Sequence, residues 1–115
     1  MRGDVVFVNL PPPRTPPSHV QAGRRPAVVL HSPVSQGQLP VTLVVPGTSN
    51  RHAQRFPHTV LVTPTAENGL ASETVFLCFQ VMPADKGIVE TPPIGKLAPE
   101  DLQRVEVGVR EALGL

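Results

Sequence analysis

Apolar runs and alternations along the 115 residues mark five strands followed by one helix. Residues 4–10 (DVVFVNL) are rich in β-branched side chains and read as the first strand. Residues 26–30 (PAVVL) form a continuous apolar run, and residues 41–45 (VTLVV) end at Pro46-Gly47. Residues 59–63 (TVLVT) end at Pro64, and residues 74–79 (TVFLCF) end near Pro83. Turn residues separate them: Ser32-Pro33, Gly37, Gly47 and Asn68-Gly69. Beyond Pro99 the pattern changes period. Leu102, Val105, Val109, Ala112 and Leu113 recur at helical spacing, with Pro99 suited to a first turn and Glu100 and Asp101 to the positive end of the helix dipole. Gly108 weakens the middle of this helix by about 1 kcal/mol relative to alanine. Short strands without long intervening helices predict a mainly β fold, a small barrel or sandwich, closed by a C-terminal helix. The length suits a single domain over residues 1–115.

Five prolines in residues 11–17 cannot donate to a sheet ladder, so an exposed, stiffened loop is expected between the first two strands. The single Cys78 lies between Leu77 and Phe79 and reads as a small buried hydrophobe rather than a nucleophile. No apolar run approaches the roughly 20 residues of a membrane span, and the first residues lack the apolar core of a secretory signal, so a cytoplasmic protein without membrane contact is expected.

The net charge of +1 conceals an asymmetry. Residues 1–60 carry Arg2, Arg14, Arg24, Arg25, Arg51 and Arg55 against Asp4 alone, whereas residues 61–115 carry four cations against eight acids. Such a basic half fits either a local anion site or an uneven spread of surface charge. Metal-ligand spacings, the phosphate-binding Gly-x-x-x-x-Gly-Lys loop and the dinucleotide fingerprint are all missing, so no metal and no cofactor are expected.

Two segments can carry chemistry. Gln21-Ala22-Gly23-Arg24-Arg25-Pro26 puts two arginines at the entry of a strand, and Pro46-Gly47-Thr48-Ser49-Asn50-Arg51 puts hydroxyls, an amide and an arginine past the end of the next. In an antiparallel pair these ends meet, so Arg25 and Thr48 can converge on one phosphate. They can equally be a strand-capping ion pair and a turn. Alternation places Arg24 on the face opposite Arg25.

These segments resemble the MazF/PemK family of toxin endoribonucleases. The opening Arg2-Gly3-Asp4 before an apolar strand, the Gln21-x-Gly23-x-Arg25-Pro26 signature, Val45-Pro46-Gly47-Thr48-Ser49, Gln80-Val81, and Gly95-x-Leu97-x-Pro99-Glu100 follow the family's order across residues 2–102. The resemblance implies an SH3-like small barrel of the MazF/PemK/CcdB type and a homodimer binding single-stranded RNA. It also implies metal-independent cleavage to 2′,3′-cyclic phosphate and 5′-hydroxyl ends, and a MazE-like antitoxin with an acidic C-terminal tail. Carried over by position, Arg25 is the principal catalytic group and Thr48 its partner, with Gln21, Ser49, Asn50, Arg51, Phe56 and Gln80 as substrate contacts.

One departure stands out. The family's glutamate before this signature is replaced by Val20, and the adjacent His19 is the candidate to substitute for it, against a plain role as a solvated loop residue. His31 reads as a satisfied structural residue at a strand end, and His52 and His58 as surface groups. Phe56 is the one aromatic expected outside a strand and able to stack on a base. Two alternatives remain: a barrel that acts like CcdB toxins by binding a protein target such as DNA gyrase, and a catalytically inert member.

Overall fold

The computed structural model describes residues 1–13, 21–32 and 37–115. Its seven strands are β1 (Asp4–Leu10), β2 (Gly23–Val29), β3 (Val41–Thr48), β4 (Thr59–Val62), β5 (Thr74–Leu77), β6 (Met82–Asp85) and β7 (Gly95–Lys96), and helix α1 runs Pro99–Leu113. The strands hydrogen-bond in the order β4-β5-β3-β2-β1-β7, with β6 on β3, and the sheet curls into a half-barrel against which α1 packs. All pairings are antiparallel. Among the described residues no helix is long and apolar enough to cross a membrane.

The continuous apolar runs of β1 and β2 have a simple cause: both faces of these strands are covered. Val5, Val28 and Val45 face one core with Val60, Phe76, Cys78 and Val105, the last from α1. Val6, Val8, Ala27, Val29 and Val44 face a second core, against Ala84, Met82 and Ile88. Each fully buried valine or phenylalanine among them contributes about 1.5–3 kcal/mol before chain entropy is subtracted.

The strand expected over residues 74–79 is interrupted. Pairing with β3 runs from Gly47↔Phe76 to Val44↔Met82, so six steps on one side answer three on the other. The extra residues, Cys78–Gln80, form a 3-10 turn that lifts Phe79 to the surface while Cys78 stays buried. The short β6 and β7 escape sequence reading because one contains Pro83 and the other has only two residues.

Behind β4, the loop of residues 63–70 is organised by Asn68, which is 1 % exposed. Its Oδ1 accepts from the N–H groups of Thr65 and Leu70, and its Nδ2 donates to the Thr63 carbonyl. Gly69, at φ +68°, lies so close to Ile94 that an added Cβ would collide with that residue's carbonyl oxygen. Lys96 N–H donates to Glu67 O at 2.8 Å and ties the same loop to β7.

Candidate functional site

The antiparallel register of β2 and β3 runs from Val29↔Val44 to Ala27↔Pro46, so Arg25 lies two residues before the paired stretch on β2 and Thr48 two residues after it on β3, where β3 pairs with β5. Arg25 is half-buried, and its Nε donates to the Ala22 carbonyl at 2.9 Å. That bond fixes the base of the guanidinium, and among the described residues neither Nη has a partner. Thr48 is 6 % exposed, and its Oγ1 accepts the Asn50 N–H at 3.1 Å, which leaves its own O–H free to donate. Asn50 caps the 3-10 turn Arg51–Arg55 by accepting the His52 N–H at 3.0 Å. Gln21 and Gln80, far apart in sequence, meet through a 3.0 Å bond from the Gln21 N–H to the Gln80 Oε1, and the buried Gln21 Oε1 has no partner among the described residues.

Charge pairing sorts the arginines. Arg2 binds Glu106 at 2.7 Å, Arg24 binds Glu90 at 2.9 Å and Arg51 binds Glu73 at 3.1 Å. The basic first half is therefore largely matched to the acidic second half across the fold. Arg25 and Arg55 are the first-half arginines that have no carboxylate partner among the described residues; Arg14 lies outside them. Arg51, expected at the substrate, is offset by Glu73.

Aromatic contacts fall in two places. Phe56 is half-buried, with the Arg55 guanidinium 4.2 Å from its ring centre and Phe79 edge-on at 5.8 Å. Part of the stacking face expected there is thus taken, while Phe79, which alternation assigned to a strand, is 38 % exposed. At the other end of the sheet Arg24 lies 3.8 Å over the Phe7 ring. The hydrogen bond from Arg24 holds the Glu90 carboxyl below its ordinary pKa, and the same bond raises that of Arg24. Alternation assigns Arg24 and Arg25 to opposite faces of β2, yet both border one slot of about 180 Å³ also lined by Phe7, Ser49, Ser72 and Thr74. Phe7, Arg24 and Glu90 escape sequence reading because their meeting depends on the β1–β2 register and on the Val8↔Val89 bridge.

His19 and Val20 lie outside the described residues. His52 is exposed, and the half-buried His58 sits 3.9 Å from Glu111. His31 is 6 % exposed and departs from expectation, since its Nδ1 finds no partner among the described residues. The described residues contain no group of three or more His, Cys, Asp or Glu able to hold a metal ion.

Residues 1–113 match the family described as PemK-like, MazF-like toxin of type II toxin–antitoxin system. The chain belongs to this family. Comparison with curated proteins gives no match. Among solved structures, MazF from Deinococcus radiodurans shares 25% identity at a TM-score of 0.78, covering 99% of this chain and 96% of that one. The Mycobacterium tuberculosis toxin MazF-mt6 aligns with a TM-score of 0.74 and 20% identity over 97% of both chains. An endoribonuclease in complex with its cognate antitoxin, from a mycobacterial species, aligns at 0.75 and 17% identity over 100% of this chain and 95% of that one. The expected mainly β small barrel with a C-terminal helix is thus present as a curled half-barrel that matches the MazF fold.

Proposed function

We propose that this toxin is a cytoplasmic, metal-independent endoribonuclease that cuts single-stranded RNA at a short sequence. The observation that carries the reading is Arg25: a half-buried guanidinium, anchored by its Nε to Ala22 O, with both Nη groups unclaimed among the described residues, at the start of the strand that pairs with the one ending in Thr48. The substrate's 2′-oxygen forms a new bond to phosphorus while the bond to the 5′-oxygen breaks, giving a 2′,3′-cyclic phosphate and a 5′-hydroxyl. Because the nucleophile is built into the RNA, the enzyme chiefly positions it and neutralises charge. Arg25 offers paired N–H donors to the phosphoryl oxygens as negative charge grows, and Thr48 adds its O–H. A guanidinium keeps its proton far above neutral pH, so it serves here as an electrostatic donor rather than as the base for the 2′-OH. His19 is the candidate for that proton.

Gln21, Ser49 and Asn50, on the segments flanking Arg25 and Thr48, and Gln80, which accepts the Gln21 N–H, serve as RNA contacts, joined by Arg51 and Phe56 at the turn Arg51–Arg55. The working unit is a homodimer, and sedimentation at twice the 12.3 kDa chain mass is the check; a cleaving monomer would refute it. Its inhibitor is a MazE-like antitoxin whose acidic tail competes with RNA for unpaired cations such as Arg25.

Single-turnover cleavage of one short RNA decides the reading. Losing a preorganised donor costs roughly 3 kcal/mol, so Arg25→Ala should slow the step by about 10² to 10³ or more while folding and still binding RNA. Thr48→Ala should fall by a smaller factor. No cleavage of any RNA by the intact protein would favour a CcdB-like or inert toxin, and full activity of Arg25→Ala would remove the site.

A further inference from the structure

We propose that Arg24, locked in place by Glu90 and Phe7, reads a guanine base of the RNA beside the cleavage site, donating to N7 and O6. This assignment rests on the RNA-cleaving function proposed above. Its basis is the completeness with which one edge and one face of the guanidinium are held. Nε donates to Glu90 Oε2 at 2.9 Å and Nη2 to Oε1 at 3.0 Å, so the carboxylate engages one full edge of the fork. The opposite plane rests on Phe7 at 3.8 Å from the ring centre. Glu90 is itself fixed: Asn9 Nδ2 donates to its Oε2 at 2.9 Å, and its backbone N–H donates to Phe7 O at 2.8 Å.

What is left over defines the ligand. One N–H of Nη1 and the second of Nη2 form a free donor edge, with no acceptor for Nη1 among the described residues. The side chain remains 56% exposed and borders the slot that Arg25 also borders. An exposed ion pair of this kind adds little to stability, so its effect is to hold the fork in one orientation. Paired with Glu90, Arg24 also brings little net charge to a phosphate. A fixed edge with two parallel donors recognises two adjacent acceptors, and the N7/O6 edge of guanine is the base edge most often read this way. Adenine offers a donor beside N7, and uracil separates its two carbonyl oxygens by an N–H. The outer plane of the guanidinium is open to stack against a neighbouring base. The exposed Ser49 and Ser72, which also border the slot, can take the remaining polar groups of the bound base.

The test maps the 5′ ends produced from a long unstructured RNA, then uses a short RNA carrying the preferred site with guanosine or 7-deazaguanosine at the guanine. Wild-type protein should cut sites with guanine at one fixed position, and the deaza substitution should lower kcat/KM by about ten- to a hundredfold. Arg24→Ala should bring the guanosine substrate down to the level of the deaza substrate and erase the difference between them. Glu90→Gln should lose part of the discrimination with its fold retained, as judged by circular dichroism. A site lacking a fixed guanine, a fixed cytosine in its place, or equal cutting of the two substrates by wild type would overturn the assignment of Arg24. If Arg25→Ala is still inactive in that case, the RNA-cleaving reading survives; if intact protein cuts nothing, both fall together.

Discussion

Replacing Gly108 in the middle of α1 by alanine tests how the helix is seated. A Cβ built there lies 2.8 Å from Cys78 Sγ and 3.1 Å from Cys78 Cβ, against a comfortable separation of about 3.5–4.0 Å. Cys78 is fully buried in the turn that interrupts the β5–β6 edge, so it has little room to retreat. Alanine should gain about 1 kcal/mol of helix propensity and lose about 1–3 kcal/mol to overpacking. The single variant is therefore expected to be unchanged or up to about 2 kcal/mol less stable, which for a chain of this size is a fall of several degrees in Tm. In a Cys78→Ala background the sulfur is gone and the propensity gain should emerge. Urea unfolding of the four proteins gives the coupling, expected at about 1 kcal/mol or more. A Gly108→Ala protein more stable by a full kcal/mol, with no coupling to Cys78, would show that close approach is not what requires glycine there.

Three further predictions follow from other parts of the molecule. Asn68→Ala removes three side-chain hydrogen bonds and leaves buried backbone groups unpaired, so it should cost about 2–4 kcal/mol in chemical denaturation; a loss below about 0.5 kcal/mol would mean the loop is held otherwise. Burial pushes the Cys78 thiol from 9.0 up to about 11, so folding holds it protonated while the unfolded chain ionises. Stability should then decline as pH rises from 9 towards about 11, in a chain with no tyrosine to confuse that window, and Cys78→Ala should lack the decline. Cleavage should persist in excess EDTA and stop when the scissile ribose lacks its 2′-OH; cutting of the deoxy substrate would exclude the internal nucleophile.

Much of the fold was legible in the sequence because its signals are local. The five apolar strands, the helix start at Pro99 and the burial of Cys78 each need only short-range pattern, and Gly114 at φ +73° closes the helix one residue past Leu113. The interruption at Cys78–Gln80 was not legible, since it reflects a mismatch of length against β3 rather than a breaker residue. Arg25 and Thr48 could be placed from strand polarity alone. The rest of the candidate site needs register: Arg24 faces Asn9 directly and reaches Phe7 on the diagonal, while Glu90 arrives by a separate bridge. Gln21 meets Gln80 for a reason no pattern reveals, because one lies in irregular chain before β2 and the other ends the turn that interrupts the β5–β6 edge.

The inner position of β1 bears on how the chain is made. One edge of this first strand pairs with β2, but the other is filled by residues from the far end: Glu90 N–H on Phe7 O, Ile94 N–H on Val5 O, and Leu97 N–H on Gly3 O. Arg2 is likewise held by Glu106 of the last helix. A ribosome that has passed β6 has therefore produced a chain whose opening strand is still an unpaired edge. The same late segment delivers Glu90, so Arg24 cannot be locked until it emerges. Removing residues 90–106 would consequently strip the partners of β1 and Arg2, not trim an accessory, and the edge of the first strand is closed only after β7 has been made.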